Sequence, residues 1–464
     1  MKKVNIKIPT DTGSLTLLVA IFSAFVTTFS GSALNLSIPA IDNEFSAGAT
    51  AIGWIISGYI LAAAALSVPI GRLADLTGRE RILKAGIIAF SVCSGATCFA
   101  GSMEILLLLR ILQGISGAMI FSTNQAVLIS RFSREKHGKV LGYFIGATYT
   151  GLTAGPVLGG ILNHLFGWRS IFLVTFIIGV ITFALAKMVL PSSSDSLRGT
   201  VKEMDLIGSL LFIITIFSMM YGLSAYSTEA FAKYLIPVSV LLFMFFVRHE
   251  LHAQSPVIQV RLFRKNIGYL LSNLAALLNY GATFALGYLL SIYLQVIRGF
   301  DSQAAGLILI SQPLIMALLS PFAGRLSDRI ASHKLASFGM GLCALGLFLF
   351  IFISAEFPLV LIILYLIIVG IGFAFFSSPN TNAVMSCVEP RDYGVASSIL
   401  ATMRNLGHSS SMAIVTFIVA TFLGSTPLSE TDAASLIHVM KVSYIVFTCL
   451  CIAGVFISLK RDRV

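Results

Sequence analysis

The sequence predicts an all-α membrane protein of fourteen transmembrane helices, and three observations carry that prediction. Apolar runs of about 20 residues recur from end to end, the length that crosses about 30 Å of hydrocarbon at 1.5 Å per residue. Only 11% of the 464 residues are charged against 57% hydrophobic, far from soluble averages. A short polar string, Gly71-Arg-Leu-Ala-Asp75-Leu-Thr-Gly78-Arg79-Glu-Arg81, returns as Gly324-Arg-Leu-Ser-Asp328-Arg, so the chain reads as two related halves.

The runs fall at roughly 15–38, 50–70, 83–102, 104–128, 139–163, 170–190, 206–225, 233–249, 268–295, 303–324, 335–354, 358–378, 394–422 and 439–459. Each is far longer than a tilted barrel strand of about 10 residues, which excludes a β-barrel. The polar string recurs at an offset of about 253 residues, more than half the chain, so extra sequence separates the repeats. Runs seven and eight supply it, as a two-helix hairpin inserted between two pseudo-symmetric six-helix bundles. The expected units are 1–190, a six-helix bundle; 191–265, the inserted pair with polar linkers; and 266–464, the second bundle.

The net charge of +11 is explained by where the charges lie. With an even helix count both termini share one side, and 25 of the 31 Lys and Arg fall on that side. Only Arg169, Lys233, Arg298 and Lys441 fall on the other, while Arg110 and Arg404 lie within helices. The positive-inside rule therefore places both termini in the cytoplasm. The basic excess reports orientation and contact with anionic headgroups, not nucleic acid. The polar first fourteen residues and the long first apolar run do not read as a cleaved signal sequence. The six cysteines lack paired-ligand spacing and read as small buried apolar residues, with no disulfide framework and no metal site.

Several segments carry a family pattern. The loop Gly71–Arg81 joins two helices on one face, with Asp75 within reach of Arg79 and Arg81. The first helix ends Asn35-Leu-Ser-Ile-Pro39-Ala-Ile41, and the fourth begins Arg110-Ile-Leu-Gln113-Gly114. The fifth contains Gly151-Leu-Thr-Ala-Gly155-Pro156-Val-Leu-Gly159-Gly160. Together these resemble the major facilitator superfamily, and the fourteen-helix count with the fifth-helix motif resembles its drug:proton antiporter branch, which holds multidrug and tetracycline exporters. The chain departs from the pattern at Glu80, where the family usually has Lys, and at Ser30, where the branch's first-helix motif opens with Asp.

A conformational latch is expected at Gly71, Asp75, Gly78, Arg79 and Arg81, answered by Gly324 and Asp328, with Asp75 at the cytoplasmic edge pairing an Arg and capping a helix terminus of the other bundle in one state only. Arg110 and Gln113 are expected at a charge-coupling position, since a charge about 9 Å inside a bilayer must snorkel, pair or face water. In the fifth helix, glycines four apart draw a flat stripe that lets a neighbouring backbone come close, and Pro156 removes one helical hydrogen bond.

The chemistry-bearing residues point away from catalysis. There is no phosphate-binding Gly-x-x-x-x-Gly-Lys, no His-Glu-x-x-His and no Gly-x-Ser-x-Gly. An enzyme is not expected, nor any cofactor, nucleotide or nucleic acid partner. All 20 carboxylates fall in loops, tails or helix ends. A proton-driven exporter usually places an acid at mid-depth, where burial lets it cycle and its charge attracts cationic compounds. Its absence favours neutral, zwitterionic or anionic amphiphiles. The polar groups expected to line a substrate cavity are Ser30, Asn35, Asn124, Thr148, Tyr149, Asn279, Gln312, Asn380 and Asn382. The deep ionisable groups reduce to Arg110, Arg404 and His408, and only His titrates readily near neutrality. Arg404 and His408 stand four apart, on one helix face.

The expected function is secondary active export of hydrophobic or amphiphilic compounds from the cytoplasm, by proton antiport with alternating access. The alternative is a dedicated metabolite or lipid exporter of the same fold without proton coupling. The expected setting is the plasma or inner membrane, with the protein a monomer in the lipid bilayer.

Overall fold

A computed structural model describes residues 12–37, 41, 44–45, 48–190, 204–224, 229–258, 263, 266–300, 302–422 and 432–463. The basic stretch Lys2–Lys7, Pro39, most of the linker before the inserted pair and 259–262 and 264–265 of the linker after it lie outside the described residues. Among those described, the regular structure is helical. In chain order the first eight helices are α1 Thr12–Ala33, α2 Gly48–Thr77, α3 Arg79–Thr97, α4 Met103–Ser130, α5 His137–Phe166, α6 Arg169–Val189, α7 Leu206–Ser224 and α8 Ala232–His252. The next is α9, in two segments, Ile267–Thr283 and Ala285–Ile292, followed by α10, also in two, Ser302–Leu309 and Ser311–Ser327. Last come α11 Ser332–Phe350, α12 Leu359–Ser386, α13 Tyr393–Phe422 and α14 Ala433–Leu459.

Ten of these fourteen are long and apolar enough to cross a membrane by length and composition. The four others, among the described residues, are α3, α5, α7 and α13. α3 opens on Arg79, Glu80, Arg81 and Lys84; α5 and α13 are diluted by Gly, Ser, Thr and Asn; and α7 offers a short apolar stretch, Leu206–Gly222.

Local chemistry sets the helix ends. Ser102, Asn266 and Asp432 each accept a backbone N–H from three residues on, at 3.4, 2.9 and 2.9 Å, and so start α4, α9 and α14. The single-residue link between α2 and α3 is Gly78, whose φ of 108° a side chain would resist. Within the helices, Ser and Thr hydroxyls donate to the carbonyl four residues back, as Ser91 to Ile87 at 2.7 Å and Thr175 to Ile171 at 2.8 Å. That pairing hides a polar group that would otherwise be costly in hydrocarbon.

Packing repeats between the two stretches. α1 lies on α5 and α6, α2 on α4, and α3 on α4 and α6. The same five pairings recur as α9 on α13 and α14, α10 on α12, and α11 on α12 and α14. The stretches meet through α5 against α10 and through α2 against α13. α7 packs on α8 and lies against α2 and α13. Most of α8 faces outward, with Leu241, Phe243, Met244 and Phe245 all exposed.

Candidate functional site

A cavity of about 500 Å³ opens where the two stretches face each other. Its wall comes from α1, α2, α4 and α5 on one side and α9, α10, α12 and α13 on the other, which are equivalent helices in the repeated packing. Of the expected lining residues, Asn124, Thr148, Tyr149 and Gln312 face it. Ser30, Asn279, Asn380 and Asn382 do not, a correction to the sequence expectation. Ser30 and Asn279 are buried between helices, Asn380 donates to the Ser272 carbonyl at 3.2 Å, and Asn382 reaches Ser327 and Ser332 near the polar loop. An amide in a membrane helix satisfies a neighbouring helix as readily as it faces a pore, so residue type alone did not separate the two. The Asn35 side chain lies outside the described residues.

Aromatic rings dominate the wall. Tyr149 and Tyr280 both direct their hydroxyls to Ser377 Oγ at 3.1 Å, which leaves their ring faces to the cavity. His408 stacks on Phe284 with centroids 4.1 Å apart and interplanar angle 22°, and meets Tyr280 edge-on at 5.4 Å. Arg404 lines the cavity floor and also a small pocket beneath it, with its guanidinium 5.7 Å from the Phe121 ring. Among the described residues, no carboxylate lines the cavity.

Arg110 and Gln113 lie elsewhere. Arg110 is 1% exposed, donates to the Ile55 carbonyl at 3.1 Å and to Gln113 Oε1 at 2.7 Å, and sits 4.6 Å from the Tyr59 ring. Gln113 in turn donates to Ser94 Oγ at 2.9 Å. The cluster ties α2, α3 and α4 together, and it reaches the cavity only through Tyr59, which lines it.

Two reciprocal caps join the two stretches. Asp75, on α2, accepts Arg79 Nε at 2.6 Å and the Val395 N–H at 3.1 Å, in the first turn of α13. Arg79 also donates to the Pro390 carbonyl at 2.8 Å. Asp328, after α10, accepts the Gly138 and Lys139 N–H groups at 2.6 and 2.8 Å, in the first turn of α5. Each carboxylate thus meets the positive end of a helix from the opposite stretch. Burial pushes the Asp328 carboxyl above the usual carboxylate range, and the two N–H groups only partly offset it. Arg81 is exposed, and Glu80 pairs with Arg131 at 3.1 Å.

The helices at the capped end touch backbone to backbone. A Cβ on Gly142 would lie 2.7 Å from the Ser320 carbonyl and 2.9 Å from the Pro321 Cα, and one on Gly324 would lie 2.7 Å from the Gly142 Cα. This glycine set, with Gly138 and Gly146, escaped the sequence reading, although its four-residue spacing was visible there. The set that was singled out packs on α1: a Cβ on Gly151 would lie 2.7 Å from the Phe25 carbonyl, on Gly155 2.8 Å from the Ala33 nitrogen, and on Gly159 2.9 Å from the Ala33 Cα. Gly160 is half-buried further along α5, and the Pro156 side chain lies outside the described residues.

At the other end, Glu44 accepts both Arg169 terminal nitrogens at 2.7 Å and Trp168 Nε1 at 2.8 Å. Those bonds, Arg169 first, hold its carboxyl below the usual range. Arg169 also donates to the Ala100 carbonyl at 2.8 Å, so one carboxylate staples three connections of the first stretch.

Comparison with known proteins agrees with this layout. The chain is 27% identical over 453 residues to the riboflavin transporter RibZ of Clostridioides difficile, covering 97% of this chain and 98% of that one. It is 27% identical over 417 residues to the multidrug resistance protein Stp of Mycobacterium tuberculosis, covering 89% and 77% respectively. The solved structure of the human organic anion transporter MFSD10 (TETRAN) has the same fold, with a TM-score of 0.68 at 12% identity over 96% of this chain and 99% of that one. The sequence profile of the Major Facilitator Superfamily matches residues 20–412 and 272–463. The chain is a transporter, not an enzyme, and it belongs to the Major Facilitator Superfamily.

Proposed function

We propose that this protein exports amphiphilic small molecules from the cytoplasm by alternating access, with protons moving in the opposite direction. The observation that carries the reading is the central cavity, walled by equivalent helices of both stretches, which the Asp75 and Asp328 caps also join. In this reading residues 1–190 and 266–464 are six-helix bundles that rock about the cavity, and 191–265 is the inserted pair. Both termini and the capped end, which is shut, face the cytoplasm of a cell that carries the protein in its plasma or inner membrane, as a monomer. The basic residues gathered at that end support the orientation.

Gly71, Asp75, Gly78, Arg79, Arg81, Gly324 and Asp328 form the latch that holds the end shut. Gly151, Gly155, Pro156, Gly159 and Gly160 keep α5 on α1 while the bundles move. Arg110 and Gln113 fix the Tyr59 ring, and His408, with Arg404 one turn away, loads and releases the proton. The multidrug resistance relative supports drug export. The riboflavin transporter relative and the absence of a carboxylate from the cavity wall support the second reading, a dedicated metabolite exporter of the same fold.

The deciding experiment is substrate-driven proton movement in proteoliposomes. Antiport predicts that an outward substrate gradient draws protons the other way, and that His408→Gln uncouples the two. Substrate movement without proton movement favours the second reading, and full coupling in the Gln variant removes His408 from the mechanism.

A further inference from the structure

We infer that the substrate this cavity selects is a planar aromatic molecule carrying an anionic group, with the anion paired to Arg404 and the ring laid against the His408–Phe284 stack. The inference rests on the export reading and deepens it. Arg404 lines the cavity floor, yet among the described residues it makes no hydrogen bond and has no carboxylate within ion-pair reach. Its guanidinium lies over the Phe121 ring at 5.7 Å.

A guanidinium walled by rings and helices is poorly solvated, and a cation–π contact offsets only part of that cost. The five N–H donors stay available in the fork that matches a carboxylate or sulfonate. Since no Asp or Glu among the described residues lines the cavity, the counter-charge arrives with the ligand. The same charge repels amphiphilic cations.

The second half of the inference comes from ring geometry. His408 follows Arg404 by one helical turn, roughly 6 Å along the axis. Its imidazole is already stacked on Phe284 at 4.1 Å, and Tyr280 and Phe373 continue the aromatic wall, 5.2 Å from each other. With both tyrosine hydroxyls turned to Ser377, these groups present π faces. Offset and edge-on aromatic pairs reward a flat ring over an aliphatic body of the same size.

Three matched probes separate charge from ring: 2-naphthoate, its neutral amide 2-naphthamide, and the saturated decahydro-2-naphthoate. On the purified full-length protein, 2-naphthoate is expected to bind about tenfold tighter than the amide, the low end of a charge-assisted hydrogen bond, and roughly threefold to tenfold tighter than the saturated acid, the worth of an aromatic pair. Arg404→Gln should bring the naphthoate-to-naphthamide ratio near one, and Arg404→Lys should restore most of it. The wild-type ranking stands without any variant, so a poorly folded Gln protein does not blunt the test. Naphthamide binding as tightly as naphthoate overturns the charge half, and decahydronaphthoate binding as tightly overturns the ring half. An equal loss of all three probes in a Gln variant of unchanged melting temperature also overturns the role of Arg404. Chloride that displaces naphthoate and decahydronaphthoate alike would reduce the site to a general anion position, against the inference. The export reading itself fails only if no amphiphile of any charge moves in proteoliposomes, a different result.

Discussion

Replacing Asp75 with Asn tests whether the shut end is held by its carboxylates. The two oxygens serve different partners: Oδ1 takes Arg79 Nε at 2.6 Å, and Oδ2 takes the Val395 N–H at 3.1 Å across the two stretches. An amide keeps one oxygen, so one contact is lost and the charge facing the α13 amino terminus disappears. A hydrogen bond to a charged group contributes about 1.5–3 kcal/mol, and a charge at a helix start about 0.3–1 kcal/mol. These overlap, because both act through one carboxylate, so the shut state should weaken by about 2 kcal/mol, roughly a 30-fold shift in the balance of states. Spin labels on the exposed Glu135 and Arg329, one from each stretch, would read the separation of this end directly. The expected outcome is a larger open population and slower transport, with substrate affinity in each state nearly unchanged. An unchanged distance distribution with weakened binding would refute the latch and make Asp75 a ligand.

Two further predictions follow from the same ends of the molecule. Gly155→Leu should abolish transport in a well-inserted protein, because the Ala33 nitrogen lies 2.8 Å from where even a Cβ would stand; normal uptake by that variant would make the glycine stripe filler. Because Asp328 sits above the ordinary carboxylate range in the shut state and should return toward it once exposed, acidification should favour the shut state. Asp328→Asn should flatten that dependence in the same label-distance measurement, and an equal pH response in wild type and variant would dismiss Asp328 as its source.

Much of the molecule could be read from the chain, because membrane helices announce themselves by length. The apolar runs placed every helix, with ends off by as much as eight residues, and the string at Asp75 marked the capped contacts along with their answer at Asp328. That Asp75 pairs with an Arg and caps a helix terminus of the other bundle could be read from its place at the membrane edge. Which helix it caps could not, because Val395 lies 320 positions away. Polar residues inside helices were the hardest to place. Asn124 and Asn380 stand at matching points of the two halves, yet Asn124 faces the cavity and Asn380 does not. Orientation about the helix axis decides, and the hydrophobic pattern is too uniform in these helices to fix it. Arg404 and His408 were legible for the opposite reason, since a charge at depth must face water or a partner.

The two glycine sets of α5 differ in phase. Gly138, Gly142 and Gly146 follow every four residues, and so do Gly151, Gly155 and Gly159, but five residues separate Gly146 from Gly151. At about 100° per residue, that one extra step turns the smooth face by roughly a quarter of the helix circumference. Below the step α5 lies on α10 of the opposite stretch; above it, on α1 of its own. The change falls beside Thr148 and Tyr149, two of the five α5 residues that line the cavity. The exchange of neighbours is therefore written as an interval in the sequence. Deleting one residue between Gly146 and Gly151 would carry a single smooth face along the whole helix and deny α5 its change of neighbour.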